Sequence, residues 1–535
     1  MNSSEAAAEK GNDAMSPGLP DLEVAKAVVA VNPELLPDSE HEPKDLAVSG
    51  DSVSVSSSVK DSKEKEISRG STTSPSVFSR KSYDSPKLLK LPPQKGHPLY
   101  RAFRWQFFSV YRKIYTVVFL LNLLWGVVGF SFGDFGSDDY ASGKLASDSV
   151  ATAVAVNVMV SIAVRNEHVI NVLFATSIAV PHSFPLWFRR SCAMIYSYGG
   201  FHSGCATASA VWYAVYTGIV IREYTSGRQP SPVFVVFASI LLALLISIIV
   251  LALPNVRQKY HDYFEGVHRF AGWAVLALFW AQLATSAVLR ARTTSTPTPA
   301  GIILLTSPAF WFLLTATLLV IYPWARLRLC PVTAEPLSAH AIRLHFFTHR
   351  PALCSAIRVS DRPLIENHAF ATIPRSDGRE GFSLVVSAAG DWTRRVIAAP
   401  PRALWVRSGP AQGMAAVAKL FSPVVMVATG SGIGPCLGFF VGAPEHDVRI
   451  IWSTRNPERT YGAGVVAAVR KADPRACIVD TDRVGRQDLP ALAYSVYKES
   501  GAEGVVIISN KRVVDWVVFE LESRGVPAYG PVFDS

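Results

Sequence analysis

Two histidines lie at matching positions in two long apolar runs of the chain, and imidazole is a common axial ligand of haem iron. His202 begins the run HSGCATASAVWYAVYTG, and His268 occupies the corresponding place in a later run. Fourteen residues further on, where a helix with a rise of about 1.5 Å per residue returns to nearly the same face, the chain has Tyr216 and Gln282. The spacing therefore predicts at most one haem, held between His202 and His268.

The same histidines have ordinary structural interpretations that the sequence leaves open. His202 could hydrogen-bond a backbone carbonyl of a neighbouring helix. His268 could pair with Glu265, which lies one helical turn away.

A glycine-rich turn follows the buried strand VVMVAT and precedes an apolar helix. It contains Gly430, Gly432, Gly434 and Pro435. Because its glycines carry no side chains, backbone amides at such a turn can approach a pyrophosphate closely. The turn predicts a nucleotide-binding site at the end of this strand.

The next strand ends in an arginine that suits the second phosphate of NADPH. Arg455 follows the strand RIIWST, and Tyr461 comes six residues later. A guanidinium can bind a 2′-phosphate through two hydrogen bonds, and an aromatic ring can stack on adenine. The pattern favours NADPH, although a solvated arginine at a strand end remains an open alternative.

The composition places these residues in a large, apolar, multi-domain chain. The chain has 535 residues, 49% of them hydrophobic, and its mean hydropathy is +0.24. The net charge is +10, but no basic block is interleaved with aromatic residues, so a nucleic-acid partner is not expected. Residues 1–95 are rich in Ser, Pro and charged residues, which predicts a disordered tail.

Residues 100–328 contain six apolar runs of near-spanning length, which predict a six-helix transmembrane bundle. Arginines and lysines concentrate in alternate loops, so both termini are expected in the cytosol. The chain is thus predicted to be a multi-pass integral membrane protein of the plasma membrane or an endomembrane, with the lipid bilayer as a partner. The runs lie at 114–132, 150–174, 195–221, 232–253, 266–289 and 302–323.

The remaining residues change character twice. The stretch 341–407 alternates apolar and polar residues, as half-buried antiparallel strands do. From Val424 the pattern becomes strand, turn and helix, which is typical of a parallel α/β sheet. We therefore expect two domains, at 329–418 and 419–535.

The order of these motifs resembles the flavin and nicotinamide module of ferredoxin reductases, ferric reductases and NADPH oxidases. The stretch HAFAT from His368 precedes GDWTRRV from Gly390, then the glycine turn and the closing YGPVFDS. Over residues 100–535 the chain is similar to the fungal TmpA-like transmembrane flavoproteins. This resemblance implies a flavin-binding antiparallel β-barrel at 329–418 and an NAD(P)H-binding parallel α/β domain at 419–535.

The resemblance also implies roles for particular residues. His368 would bind the FAD pyrophosphate and Phe370 would lie against the flavin ring. Ala371 departs from the pattern because it lacks a hydroxyl, and Thr372 is the available substitute. The other residues implied at the flavin are Gly390, Trp392, Thr393 and Phe533.

The function implied is an integral membrane flavoprotein oxidoreductase that takes hydride from NADPH onto FAD at the cytosolic face, with an electron acceptor that the sequence does not identify. An enzyme is expected, although no residue is assigned a catalytic role. The main alternative is a catalytically degenerate reductase that serves as a membrane sensor or regulatory scaffold. A transporter is disfavoured, because paired broken helices and mid-membrane carboxylates are not recognised in the sequence.

Overall fold

The computed structural model describes residues 88–133, 146–228, 231–293 and 298–532. Helices occupy the first half of this part of the chain. They are α1 (Pro98–Arg101), α2 (Val110–Ser131), α3 (Ala146–Ala163), α4 (Glu167–Ile178), α5 (Leu186–Cys192), α6 (Gly199–Thr225), α7 (Val233–Ala252), α8 (Pro254–Lys259), α9 (His261–Thr293), α10 (Ala300–Thr306) and α11 (Pro308–Ala325).

Within the described residues, five helical segments are long and apolar enough to cross a membrane, judged by length and composition alone. A sixth candidate exists only as the pair α3 and α4, which meet at a bend of 67°. The bend has a local cause, because the side chain of Asn166 accepts a hydrogen bond from the backbone N–H of His168 and begins α4 as a new helix. The described residues therefore contain five such segments, or six if the bent pair counts as one span.

Eight strands and one helix follow. They are β1 (Arg328–Pro331), β2 (Thr333–Pro336), β3 (Ala341–Phe346), β4 (Ser355–Ser360), β5 (His368–Ala371), β6 (Ile373–Pro374), β7 (Phe382–Ser387), α12 (Asp391–Ala398) and β8 (Ala403–Gln412). They form two four-stranded antiparallel sheets with the strand orders β1-β8-β4-β5 and β2-β3-β7-β6. Leu344, Leu384, Val359 and Leu404 are fully buried between them.

The last elements alternate between strand and helix. They are β9 (Val424–Thr429), α13 (Ile433–Gly442), β10 (Val448–Thr454), α14 (Pro457–Tyr461), α15 (Ala463–Ala472), β11 (Cys477–Asp480), α16 (Thr481–Val484), α17 (Leu489–Ser500), β12 (Gly504–Ile508), α18 (Lys511–Glu522) and β13 (Ala528–Tyr529). The strands form one parallel sheet in the order β11-β10-β9-β12-β13.

This parallel sheet is covered on both faces, which explains why its central strands are apolar at almost every position. Met426 of β9 packs in the core that includes α13 and α15. Val427, the next residue, packs in the core that includes α17 and α18. Successive side chains of a strand point to opposite faces, so both neighbours are fully buried.

Polar contacts join the helices of the first half to both groups of strands. Asn171 of α4 donates to the carbonyl of Pro410 and accepts from the N–H of Gln412, at 2.9 and 2.8 Å. Arg189 of α5 forms an ion pair with Glu503, at 2.6 Å. These contacts give the strands a defined position against the helices.

The tail predicted at 1–95 lies mostly outside the described residues. Its last eight positions are described and contact the parallel-sheet region. The N–H of Leu89 donates to the hydroxyl of Ser495 at 2.8 Å, and the N–H of Lys95 donates to the carbonyl of Ser523 at 2.8 Å. The other predicted domain boundaries remain predictions.

Candidate functional site

The strand order of the parallel sheet reverses at β9 and β12, which predicts a crevice at their carboxyl ends. From β9 the chain proceeds to β10 and β11 on one side, and then returns to place β12 on the other side of β9. The connections that leave β9 and β12 therefore separate, and ligands of open α/β sheets bind at such a reversal of strand order. The glycine turn begins directly after Thr429, the last residue of β9.

The glycine turn is needed for steric reasons. Gly430 has a φ of +49°, a left-handed conformation that side chains disfavour, and its carbonyl accepts a hydrogen bond from the indole N–H of Trp452 at 3.1 Å. A Cβ atom at Gly432 would lie 2.2 Å from the carbonyl oxygen of Ile508. The turn can pass the end of β12 only because these positions carry no side chain.

Gly434 and Pro435 lie in the first turn of α13, directly beyond this crossing. A Cβ atom at Gly434 would make only ordinary contact with Val385 of β7, at 3.9 Å. The structure thus brings all four residues predicted at the glycine turn to one end of the sheet.

Two hydroxyl groups meet inside the crevice. The side chain of Thr429, at the end of β9, is hydrogen-bonded to the side chain of Ser509, which follows β12. Thr429 is not among the residues predicted from the sequence. The signal that could have found it is a hydroxyl residue placed between a buried strand and a glycine turn.

Arg455 lies at the same edge of the sheet, after β10. Its side chain is 82% exposed, and its only ion pair among the described residues is a long one to Asp482, at 3.8 Å. The backbone N–H of Asn456 donates to the carboxylate of Asp480, at 2.9 Å, which holds the loops after β10 and β11 together. The segments after these two strands carry four exposed arginines, Arg455, Arg459 in α14, Arg483 in α16 and Arg486.

The structure buries Tyr461, which was predicted to stack on adenine. Its ring is 2% exposed and packs against Trp452 with the ring centroids 5.5 Å apart. Burial raises the pKa of its hydroxyl, which hydrogen-bonds Ser387 and Thr454. A ring in this position supports the glycine turn from below and is not available to stack on a base.

The residues predicted at the flavin ring come together, but they contact one another. The rings of His368 and Trp392 stack with centroids 4.3 Å apart, and Phe370 lies 5.8 Å from Trp392. The imidazole of His368 is also paired with Glu366 at 3.0 Å. The indole N–H of Trp392, a side chain that is almost fully buried, donates to Asp361 at 2.9 Å.

The hydroxyl groups predicted to contact FAD are also engaged. Thr372 is fully buried and hydrogen-bonded to Ser355, at 2.9 Å. The hydroxyl of Thr393 accepts from the N–H groups of Ala389 and Gly390, both at 2.9 Å, and so caps its own helix. These residues do not fit an FAD site, because their polar atoms already satisfy one another. Phe533 lies outside the described residues.

The structure brings His202 and His268 close together. Their ring centroids are 6.1 Å apart and the rings are tilted by 60°. Nδ1 of His202 donates to the carbonyl of Ser161 at 2.8 Å, so the structural interpretation of this residue is the one observed. Glu265 pairs with Arg269 at 2.7 Å and not with His268. Among the described residues, no group of three or more His, Cys, Asp or Glu side chains could hold a metal ion.

One family model and two curated proteins match the chain. A family model described as "Adenylate-forming reductase 03009, C-terminal domain" matches residues 414–535. The chain is 38% identical over 447 residues to adenylate-forming reductase 03009 of Coprinopsis cinerea, and 37% identical over 450 residues to adenylate-forming reductase 06235 of the same organism. Each alignment covers 83% of this chain and 42% of the relative. The chain thus spans less than half the length of the curated relatives it matches.

Solved structures are more distant. A flavohemoglobin from Malassezia yamatoensis, solved with bound FAD and heme, is 14% identical, and the match covers 72% of this chain and 98% of that one. The TM-score is 0.35. At this TM-score the similarity gives no information about the fold or the cofactors of the chain.

These relatives overturn several predictions. The chain is similar to adenylate-forming reductases and not to TmpA-like flavoproteins, so the resemblance inferred from the sequence is wrong. The predicted membrane flavoprotein, its sensor alternative and the FAD and haem cofactors are wrong for the same reason. The predicted six-helix transmembrane bundle and multi-pass membrane location are corrected by the same relatives, and the predicted bilayer partner has no support among them. Both names are those of reductases, which agrees with the prediction of an NAD(P)H-dependent oxidoreductase enzyme.

Proposed function

We propose that this chain is an NADPH-dependent reductase whose nucleotide binds across the carboxyl edge of the parallel sheet. The observation that carries the proposal is the placement of a sterically required glycine turn and an exposed arginine at this one edge. The relatives' names, both of them reductases, agree with it.

The edge has a place for each part of the nucleotide. The pyrophosphate would lie at the glycine turn and the first turn of α13, where helix N–H groups and the helix dipole favour an anion. The 2′-phosphate would lie at Arg455, whose guanidinium can form two parallel hydrogen bonds to it. The nicotinamide would enter the crevice that contains the hydroxyls of Thr429 and Ser509.

The proposed substrate is an activated acyl group, as the name of the relatives indicates. A free carboxylate resists hydride because its carbon carries little positive charge, whereas an acyl adenylate has a good leaving group. Hydride from NADPH would add to the carbonyl carbon, and the bond to the adenylate oxygen would then break with its electron pair. The products are an aldehyde, AMP and NADP⁺, so each acyl adenylate consumes one NADPH.

The hydroxyls in the crevice suit this reaction. Charge develops on the carbonyl oxygen when hydride adds, and hydrogen-bond donors fixed in advance at that point stabilise it. Thr429 ends β9 and Ser509 directly follows the adjacent strand β12, so the sheet sets their positions.

The experiment measures nucleotide affinity in the purified chain and in two arginine variants. Arg455→Ala removes the proposed 2′-phosphate contact. Arg475→Ala is the matched control, because Arg475 is also exposed and weakly paired, at 3.7 Å from Glu499, but precedes β11 at the opposite edge of the sheet. A lost charge-assisted contact of about 1.5–3 kcal/mol corresponds to roughly 10- to 150-fold weaker NADPH binding.

NADH affinity should not change in either variant, since NADH has no 2′-phosphate. The reaction is tested by incubating the chain with NADPH and benzoyl adenylate, and quantifying benzaldehyde and AMP. Equal affinity of the unchanged chain for NADH and NADPH would contradict the nucleotide assignment. NADPH binding without consumption of the acyl adenylate would contradict the substrate class.

A further inference from the structure

A second cavity lies far from the glycine turn in the sequence, between helices and an antiparallel sheet. Its volume is about 410 Å³, within the range of pockets that hold small molecules. The bend between α3 and α4, the helices α9 and α11, and the strands β4 and β8 all contribute to its walls. None of the residues predicted to bind nucleotide lines it.

Three arginines define the polar side of this cavity. Arg358 of β4 lies directly opposite Arg407 of β8 in the sheet register, and Arg165 comes from the bend between α3 and α4. Among the described residues, none of the three guanidinium groups has a hydrogen bond or ion pair. Arg407 instead lies over the ring of Trp324, at 4.9 Å from its centroid.

The cavity has fewer carboxylates than arginines. Glu265 is already paired with Arg269 at 2.7 Å, so these two charges cancel. Glu167, which accepts from the N–H of Gly409 at 3.3 Å, is the one remaining carboxylate in the lining. The three arginines therefore leave an excess of two positive charges.

This excess is unfavourable for the protein alone. Like charges directly opposite on neighbouring strands destabilise a sheet. Burial, together with the charges of Arg358 and Arg269, lowers the pKa of Arg407 to about 10. Burial also lowers the pKa of Arg165, and Arg358 contributes to that shift. Buried positive charges that repel one another in this way would be stabilised by a bound anion.

Two buried nitrogen atoms also indicate that the cavity binds a ligand. Nε of Arg407 and Nδ1 of His268 are buried and have no hydrogen-bond partner among the described residues. Buried polar groups in folded proteins are nearly always hydrogen-bonded, so such atoms need an account. The strand β8 is also irregular here: its register with β4 shifts, and the buried residue Ser408 has a φ of +64°.

Much of the remaining lining of the cavity is apolar. Trp324, Phe264, Trp273, Leu276 and Leu319 line it. A small inorganic anion would leave most of these side chains without a contact. The cavity suits a molecule with a charged group at one end and an aromatic or aliphatic body.

We propose that the cavity defined by Arg165, Arg358 and Arg407 is a binding site for an amphipathic organic phosphate. A phosphate monoester carries up to two negative charges, which matches the excess positive charge of the lining. Its oxygens would accept from the unpartnered guanidinium groups, and its organic body would contact Trp324 and Phe264. The site is separate from the proposed nucleotide site and does not depend on the proposed reaction.

Calorimetric titration with naphthyl phosphate tests the proposal. Naphthol lacks the charge and inorganic phosphate lacks the apolar body, so both should bind at least tenfold more weakly than naphthyl phosphate. Arg358→Gln should weaken naphthyl phosphate binding by tenfold or more, since a charge-assisted hydrogen bond is lost. Arg475→Gln, a change of an exposed arginine at the parallel sheet, should have no effect.

A further variant separates the two sites. Arg455→Ala should leave naphthyl phosphate binding unchanged, whereas loss of binding in this variant would mean that the probe occupies the nucleotide site and would overturn the proposal. Equal affinity for naphthyl phosphate and naphthol would overturn it as well, because the arginines would then not be recognising charge.

Thermal unfolding covers the case in which Arg358→Gln is poorly folded. If the arginines bind an anion, naphthyl phosphate should raise the unfolding temperature of the unchanged chain. The Arg358→Gln variant without ligand should then be at least as stable as the unchanged chain. A destabilised variant together with no shift by naphthyl phosphate would show that the arginine is structural, and the proposal would fail.

Discussion

Removing one partner of the ion pair between Arg189 and Glu503 should destabilise the parallel sheet. Arg189 is 4% exposed, and its two terminal nitrogens contact the two carboxylate oxygens of Glu503 at 2.6 and 2.7 Å. The guanidinium also donates to the carbonyls of Leu420 and Phe184, at 2.7 and 3.1 Å. Glu503 accepts in addition from the N–H of Ser422, at 2.9 Å.

Removing one partner leaves the other charge with buried polar groups and no counterion. Because the Glu503 side chain is 24% exposed, Arg189→Met should lower the free energy of unfolding by about 3 kcal/mol, the lower end of the range for a buried pair. The matched control is Arg394→Ala, which breaks an ion pair of similar length, 2.6 Å to Asp391, between side chains that are 61% and 87% exposed. Solvent screens that pair, so the expected change is only about 0–0.5 kcal/mol.

Urea unfolding measures the change in the free energy of unfolding. Hydrogen–deuterium exchange in peptides from β9 and β12 shows whether the loss of stability lies next to the ion pair. A double-mutant cycle with Arg189→Met and Glu503→Gln should show that the two changes together cost less than the sum of the single changes. If the changes were additive, or if Arg189→Met were no more harmful than Arg394→Ala, the pair would not stabilise the sheet as argued.

Three further outcomes are expected. Gly432→Ala should abolish NADPH binding in a titration, because the added Cβ atom would lie 2.2 Å from the carbonyl oxygen of Ile508. Gly464→Ala is the control: this helix position has open space around it, so the affinity for NADPH should not change. Tyr461→Phe should change the NADPH dissociation constant by less than about twofold and lower the free energy of unfolding by about 1 kcal/mol, the value of a lost hydrogen bond; a large loss of affinity would restore the stacking role. Hydrogen bonding to Arg189 lowers the pKa of Glu503. The stabilisation from Glu503 should therefore be complete above its unfolded pKa of about 4.3 and should disappear as the pH falls through its lower folded pKa. Unfolding measured against pH checks this, because the free energy of unfolding of the Glu503→Gln variant should fall less steeply at acid pH.

Local sequence was sufficient wherever the physical cause is local. The apolar run from Val424 to Thr429 becomes a buried strand, and the glycines after it become the turn, because strand propensity and left-handed backbone are properties of a few adjacent residues. The apolar runs of the first half become helices because helix formation likewise depends on residues that are adjacent in the sequence. Arg455 was placed at a strand end by the pattern alone, and the structure has it exposed there.

The tertiary structure decided what each side chain faces, since that depends on residues far away in the sequence. Arg189 lies between the predicted apolar runs 150–174 and 195–221, but in the structure it is buried in an ion pair with Glu503, more than three hundred positions later. Tyr461 was expected at a ligand and lies beneath the glycine turn, because the packing of α14 against β10 turns its ring inward. The pairing of β4 with β8 sets Arg358 against Arg407, and no spacing along the chain could reveal that two arginines share one cavity.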